Sequence, residues 1–372
     1  MKVRKDDPVR CWSRAPSVAQ WSTKLVRLVV LLPLLACGPP PVLTQDVSFL
    51  VPLEQSRTFL PAATVLPRAH FDRLHPLTVV DEPDALYSAL SVVAVRLDAC
   101  FREGVMPGPC QPQVRLVLQP VFEEAKVLTT RDAAVHLFFS TTEAQLLTLL
   151  RSMSTLRAQK GISPPDALAA PHPGFADETF VRAMRAEMLP FVGAGELVRI
   201  TSMSVHASNQ AWIFAGSNLI NGEPSDIAIP TLTGATEDHV TSTGSSGALE
   251  VTIDPESPME PALMPVLASG GLSRATAEEL AAAATSVQRL ENPAAHNPGT
   301  VDCAACHVAA LTQRALSKQG ITVAGSLGAS GAYDDTRNLR AFGYFFSAPA
   351  ISPRVQRETA VVRDDFARRL EK

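Results

Sequence analysis

Two thiols and an imidazole fall within five residues, Cys303-Ala304-Ala305-Cys306-His307, and no other stretch limits what this chain can build as sharply. On a helix, positions three and four apart share a face, so Cys303, Cys306 and His307 would all project to one side. The flanks agree with a helix. Asp302 has the chemistry of an N-cap, Ala304 through Lys318 reads as one helical run, and Gly320 closes it.

C-x-x-C-H is also the attachment signal for a c-type haem. Over these five residues and their surroundings, though not over the whole chain, the sequence resembles a c-type cytochrome. That resemblance implies one covalent haem c, with thioethers from Cys303 and Cys306 and with His307 as proximal iron ligand. Three other readings stay open. The cysteines could form a plain disulfide with His307 on the surface. They could be a redox pair like thioredoxin's, although no strand precedes them. They could join His307 and His296 in a zinc site.

The cytochrome pattern usually supplies a distal Met downstream, yet neither Met nor His follows His307. His296, seven residues before Cys303, leads as distal ligand, against a plain loop histidine; Met259 and Met264 come after it. Two histidines would give a lower reduction potential than His/Met, and an open iron would suit ligand binding or peroxide chemistry.

The N-terminus carries a second signal. Lys24 and Arg27 precede the apolar run Leu28 to Ala36, which is too short to span a bilayer as a helix. Its end, Leu34-Leu35-Ala36-Cys37-Gly38, resembles the lipobox of bacterial lipoproteins. That implies a signal peptide over 1–36 and an acylated Cys37, with the mature protein held to a membrane of the bacterial cell envelope and facing the periplasm or the outside. The alternative is a leader cut elsewhere, with Cys37 incidental. Residues 1–17 are long and charged for such a leader, and a start near Val18 would leave an ordinary one.

Charge follows from this. Residues 1–37 hold seven basic and two acidic side chains, so the remainder carries 26 basic and 35 acidic, a net of −9. Such a balance is unsuited to nucleic acid or to anionic lipid, and leaves acyl chains as the membrane contact. Composition of 46% hydrophobic and 19% charged residues describes a chain with a real core.

Gly38-Pro39-Pro40-Pro41 reads as the start of a stiff tether over 37–65, with order beginning between Leu66 and Leu86. Ser91 to Asp98, Gln113 to Val121 and Ala133 to Ser140 read as strands. His136, inside the third, reads as a packed or solvent-facing strand residue. Cys100 and Cys110 flank a Gly/Pro-rich turn and are expected to form a disulfide, worth about 2–3 kcal/mol on the chain-entropy model. Thr142 to Gln145 and Thr276 to Glu279 have capping-box spacing and open helices. Met184 and Met188 belong to a helix stripe and read as core. Further strands are expected over Leu197–Val205, Ala211–Leu219, Asp226–Ile229 and Leu249–Ile253.

The fold class expected is α+β: an antiparallel sheet with packed helices over 66–255, then a mostly helical, cytochrome c-like haem region over 256–372. No triad, P-loop, dinucleotide fingerprint or metallohydrolase motif appears, and no catalytic residue is expected. Three function classes remain. They are a lipid-anchored electron carrier with a redox partner protein, an envelope binding or structural lipoprotein with a Cys303–Cys306 disulfide, and a haem enzyme or gas sensor with an open distal site.

Overall fold

Apolar residues alternating with polar ones at the centre of the chain become the middle of an antiparallel sheet. The computed structural model describes residues 40–101, 111–164, 168, 170–206, 211–242, 250–297, 299–325, 330–331 and 338–371. The calls on Cys37, and on a Cys100–Cys110 bridge, lie outside the described residues and side chains. Residues 41–372 form one unit.

The sheet comprises β1 (Ser48–Leu50), β2 (Leu90–Phe101), β3 (Gln111–Glu124), β4 (Val127–Thr130), β5 (Ala134–Ser140), β6 (Leu197–His206), β7 (Ala211–Ile220), β8 (Glu223–Asp226), β9 (Glu237–Ser242) and β10 (Val251–Asp254). Its order is β1-β2-β3-β5-β6-β7-β9-β10, with β4 on β3 and β8 on β7, and every pairing is antiparallel. Apart from the short strands β4 and β8, which extend hairpins from β3 and β7, the strands follow one another across the sheet in chain order, as short connections favour. The α+β class expected from the sequence is the class observed.

One face is dry. Val114, Leu116 and Leu118 of β3, Val135, Leu137 and Phe139 of β5, and Ile200 of β6 pack in one core with Leu149, Leu150 and Met153 of the helix Glu143–Gln159 and with Phe180, Met184 and Met188 of the helix Glu178–Met188. Both helices lie in the β5–β6 connection. The Thr142 hydroxyl accepts from the Gln145 amide at 3.2 Å, and the Asp177 carboxylate caps the second helix.

Order starts earlier than the sequence suggested. Val47, Phe49, Val51, Phe59 and Leu60 are all fully covered, and Asp46 is ion-paired to Arg157 at 2.7 Å. The physical reason is brevity. A four-residue helix, a three-residue strand and a seven-residue helix, broken by Pro52, are each too short to show a period.

The C-terminal segment covers the other face. It contributes the helices Ala277–Leu290, Cys303–Lys318 and Pro353–Leu370, and also a small antiparallel sheet of β11 (Ser330–Gly331), β13 (Ala348–Ile351) and β12 (Phe342–Phe345). Gln119 of β3 seats this sheet by mimicking a strand partner. Its Oε1 accepts from the Tyr344 amide at 2.8 Å and its Nε2 donates to the Tyr344 carbonyl at 3.1 Å. Among the described residues, no helix is long and apolar enough to cross a membrane.

Candidate functional site

Side chains on the far face of the sheet fall into cross-strand rows, because register partners on antiparallel strands share a face. One row runs Ala134, Met203, Phe214 and Asp238 across β5, β6, β7 and β9. The next runs Val117, His136, Thr201 and Gly216 across β3 to β7. The third runs Arg96, Arg115, Phe138, Arg199 and Asn218 across β2 to β7. Gly216 suits the second row because a Cβ there would sit 2.8 Å from Thr201 Cγ2 and 2.9 Å from the Ile200 carbonyl.

Above these rows lies the helix Cys303–Lys318. Asp302 caps it, accepting from the Ala305 amide at 2.7 Å, as its sequence position implied. Asp238, from the sheet, takes the neighbouring Ala304 amide at 2.7 Å. That bond pins the helix start to β9. Ala304, Ala305 and Val308 face the core with Trp212, Phe214 and Val240, while Cys303 and Cys306, at its edge, turn with His307 toward the helix's other side.

Where they turn is a cavity. Its volume is about 190 Å³, short of the roughly 300–1,000 Å³ of ordinary small-molecule clefts, and the space continues into a mouth open to solvent. Cys303, Cys306 and His307 line its roof, the sheet rows make its floor, and Arg354 and Glu358 of the C-terminal helix close one end. The three motif side chains therefore come together on one face, toward one space. Both thiols are free and only half-covered, although they lie deep in the molecule, because their open surface faces the cavity.

His307 is held in one tautomer. Its Nδ1 lies 2.5 Å from the Leu339 carbonyl, which can only accept, so Nδ1 carries the proton and Nε2 keeps its lone pair. Its ring also leans on Phe214, with centroids 4.7 Å apart. Burial lowers its basicity, which favours the neutral form. Burial, and then the Asp238 carboxylate, hold the Cys303 thiol well above its ordinary range. Cys306 is raised too, again chiefly by burial. These are not the electropositive surroundings that make a reactive thiolate.

One end of the cavity is cationic. Arg96 and Arg354 clasp Glu358 at 2.5 and 2.7 Å, and Arg115 reaches Asp98 at 3.0 Å. Burial works to raise the Glu358 carboxyl, but Arg354 and Arg96 outweigh it and hold it at about 2. Arg199 donates to Asn218 at 2.7 Å; burial lowers its pKa to about 10, so it stays charged. Four guanidinium groups, of Arg96, Arg115, Arg199 and Arg354, thus gather around Glu358 at this end of the cavity.

Sequence reasoning brought His296 forward, and the structure puts it elsewhere. Its Nε2 pairs with Glu260 at 2.9 Å, its Nδ1 lies 3.4 Å from the Thr300 hydroxyl, and it does not line the cavity. Met259 is exposed and Met264 packs in the far-face core, both outside the lining. Among the described residues, no group of three or more His, Cys, Asp or Glu is placed to hold a metal ion, and His296 does not join the motif to make the four-ligand zinc site.

What the sequence missed is His136. It is neither packed in the core nor out in solvent, but lines the cavity floor. Burial, then His307 and Arg115, push its pKa down to about 3, so it is neutral. The arginine row was missed as well. The signal was present as polar residues spaced by two within strands, but the strand pairing that aligns them is not written in any one segment.

Compared with protein families, curated proteins and solved structures, the chain has no match among any of the three.

Proposed function

We propose that this chain is a lipid-anchored c-type haem protein of the bacterial cell envelope, and that it passes electrons to or from a redox partner protein. The observation that carries the reading is His307. Its Nδ1 proton is committed to the Leu339 carbonyl, which leaves the Nε2 lone pair available for a metal, and the residue lines the same cavity as two free thiols at thioether spacing. A ligating imidazole almost always gives its second N–H to such an acceptor.

The rest of the cavity suits the same group. Its middle is lined by Val117, Phe138, Met203, Phe214 and Phe342, which suits a flat apolar macrocycle. One end carries the guanidinium groups of Arg96, Arg115, Arg199 and Arg354, which suits the propionates of a haem. Cys303 and Cys306 would hold the group and His307 its iron; bound there, it would supply one-electron redox chemistry. Phe214 and the Leu339 carbonyl fix the imidazole ring, and the surrounding sheet and helices limit access of water. Attachment to the membrane rests on Cys37 alone, through acyl chains.

The test is a pyridine haemochrome spectrum of protein made in a host with a c-type maturation system. A covalent haem signal is expected, lost or much reduced in Cys306→Ser. Wild-type protein with no haem signal would favour instead an envelope binding lipoprotein that uses the same apolar, cationic cavity. Cys37→Ser should leave the precursor uncut or release soluble protein, while wild type partitions into detergent; identical behaviour would remove the lipid anchor.

A further inference from the structure

We propose that His136, on the sheet, is the second axial ligand of the iron, opposite His307 on the helix. The inference rests on the haem reading and fills the position that reading leaves open.

The argument begins with register. Phe214 on β7 supports the His307 ring, and Met203 on β6 and Ala134 on β5 continue its row. His136 is two residues further along β5 on the same face, about 7 Å away in strand rise. It is two strands from β7, roughly 9–10 Å across the sheet. The ring therefore rises from the floor of the space that His307 enters from the roof. The two histidines line the large cavity together, and both also wall a smaller one beside Gln119, Met203 and Arg340.

Chemistry points the same way. Every other buried histidine has a job for its ring. His296 is tied to Glu260 and Thr300, and His172 accepts from the Gly174 amide and stacks on Phe180. His307 is tied to Leu339. The His136 ring makes no hydrogen bond or ion pair among the described residues. An imidazole that lines a cavity without a protein partner, facing the same space as a second imidazole, is poised as a ligand.

The rivals fit less well. His296 is out of the cavity, and so are Met259 and Met264. Met203 lines it, but is almost fully covered and packed with Trp212, Phe214 and Val240, as a core methionine would be. Two imidazoles would give a lower potential than a His/Met pair. They would also make the site closed, so that electron transfer rather than ligand binding is its business.

The experiment uses the full chain with haem attached and reads the ferric spin state. Wild type should be low-spin, with no sulfur-to-iron charge-transfer band and slow cyanide binding. His136→Ala should become high-spin and bind cyanide readily, whereas His296→Ala should match wild type and Met203→Leu, though it alters the haem pocket, should stay low-spin. Should His136→Ala fail to fold, two readouts remain. His136→Met should stay low-spin, gain the sulfur band and shift to a higher potential, and the near-infrared magnetic circular dichroism of wild type should report two nitrogen ligands. A His136→Ala spectrum identical to wild type, a sulfur band in wild type, or a high-spin Met203→Leu would overturn His136. Wild type with no covalent haem at all would instead overturn the haem reading itself.

Discussion

The two faces of one sheet are built by the same strands, yet they hold opposite kinds of interior. On β5, Val135, Leu137 and Phe139 enter a dry core, while His136 and Phe138, interleaved with them, face a cavity. On β3, Val114, Leu116 and Leu118 are dry, and Arg115 and Val117 face the cavity. The period of two does more here than separate core from solvent. It separates a face that holds the fold together from one that holds open a space, with polar groups whose burial is costly unless something uses them.

Adjacent phenylalanines offer the sharpest way to break that comparison. Phe139→Ala should cost about 3–5 kcal/mol, since the void would open in a closely packed core. Phe138→Ala should cost less than Phe139→Ala without ligand, because that ring, though mostly covered, already borders empty space. Its losses include its contacts with the Arg115 and Arg199 guanidinium groups, 4.8 and 5.9 Å from its centroid. Urea unfolding of both variants measures the difference, and equal costs would mean that the far face is as well packed as the near one.

Histidine gives the second contrast. His172 sits in the dry core, stacked on Phe180 at 5.1 Å, and burial, then Arg157, lower its pKa to about 4. The unfolded chain binds this proton first, near pH 6.5. Stability from the neutral ring is therefore full above pH 6.5 and is lost as pH falls toward 4, by about 3 kcal/mol in all. Thermal melts of wild type and His172→Gln across that range should converge as pH falls. A constant gap between them would sink the assignment.

How much of this was legible beforehand follows the same division. The near face could be read because Val114, Leu116 and Leu118 recur at every second position of a strand, with Arg115 and Gln119 at the polar positions between and after them. The motif helix was also legible, through Asp302 and the spacing of Cys303, Cys306 and His307. The far face was not. His136 in a strand looks like any half-buried histidine, and only its pairing with Val117 and Thr201 brings it to the cavity. His296 was favoured because it lies near the motif in sequence, whereas Glu260, 36 residues away, claims its ring.

The smallest effect expected is at a cap that both sequence and structure agree on. Thr276 accepts from the Glu279 amide at 3.2 Å, and Glu279 returns to the Thr276 amide at 2.7 Å. Thr276→Ala should cost about 1 kcal/mol and leave the cavity untouched. Its denaturant midpoint should move while any haem spectrum stays the same; a changed spectrum would show that the Ala277–Leu290 helix is coupled to the cavity.

The measurement closest to the central claim is the mass of one peptide. Protein made with a c-type maturation system and cut with trypsin should yield Leu290–Arg314 carrying one haem across Cys303 and Cys306. The same peptide unmodified, or lighter by two hydrogens as a disulfide, would contradict the account.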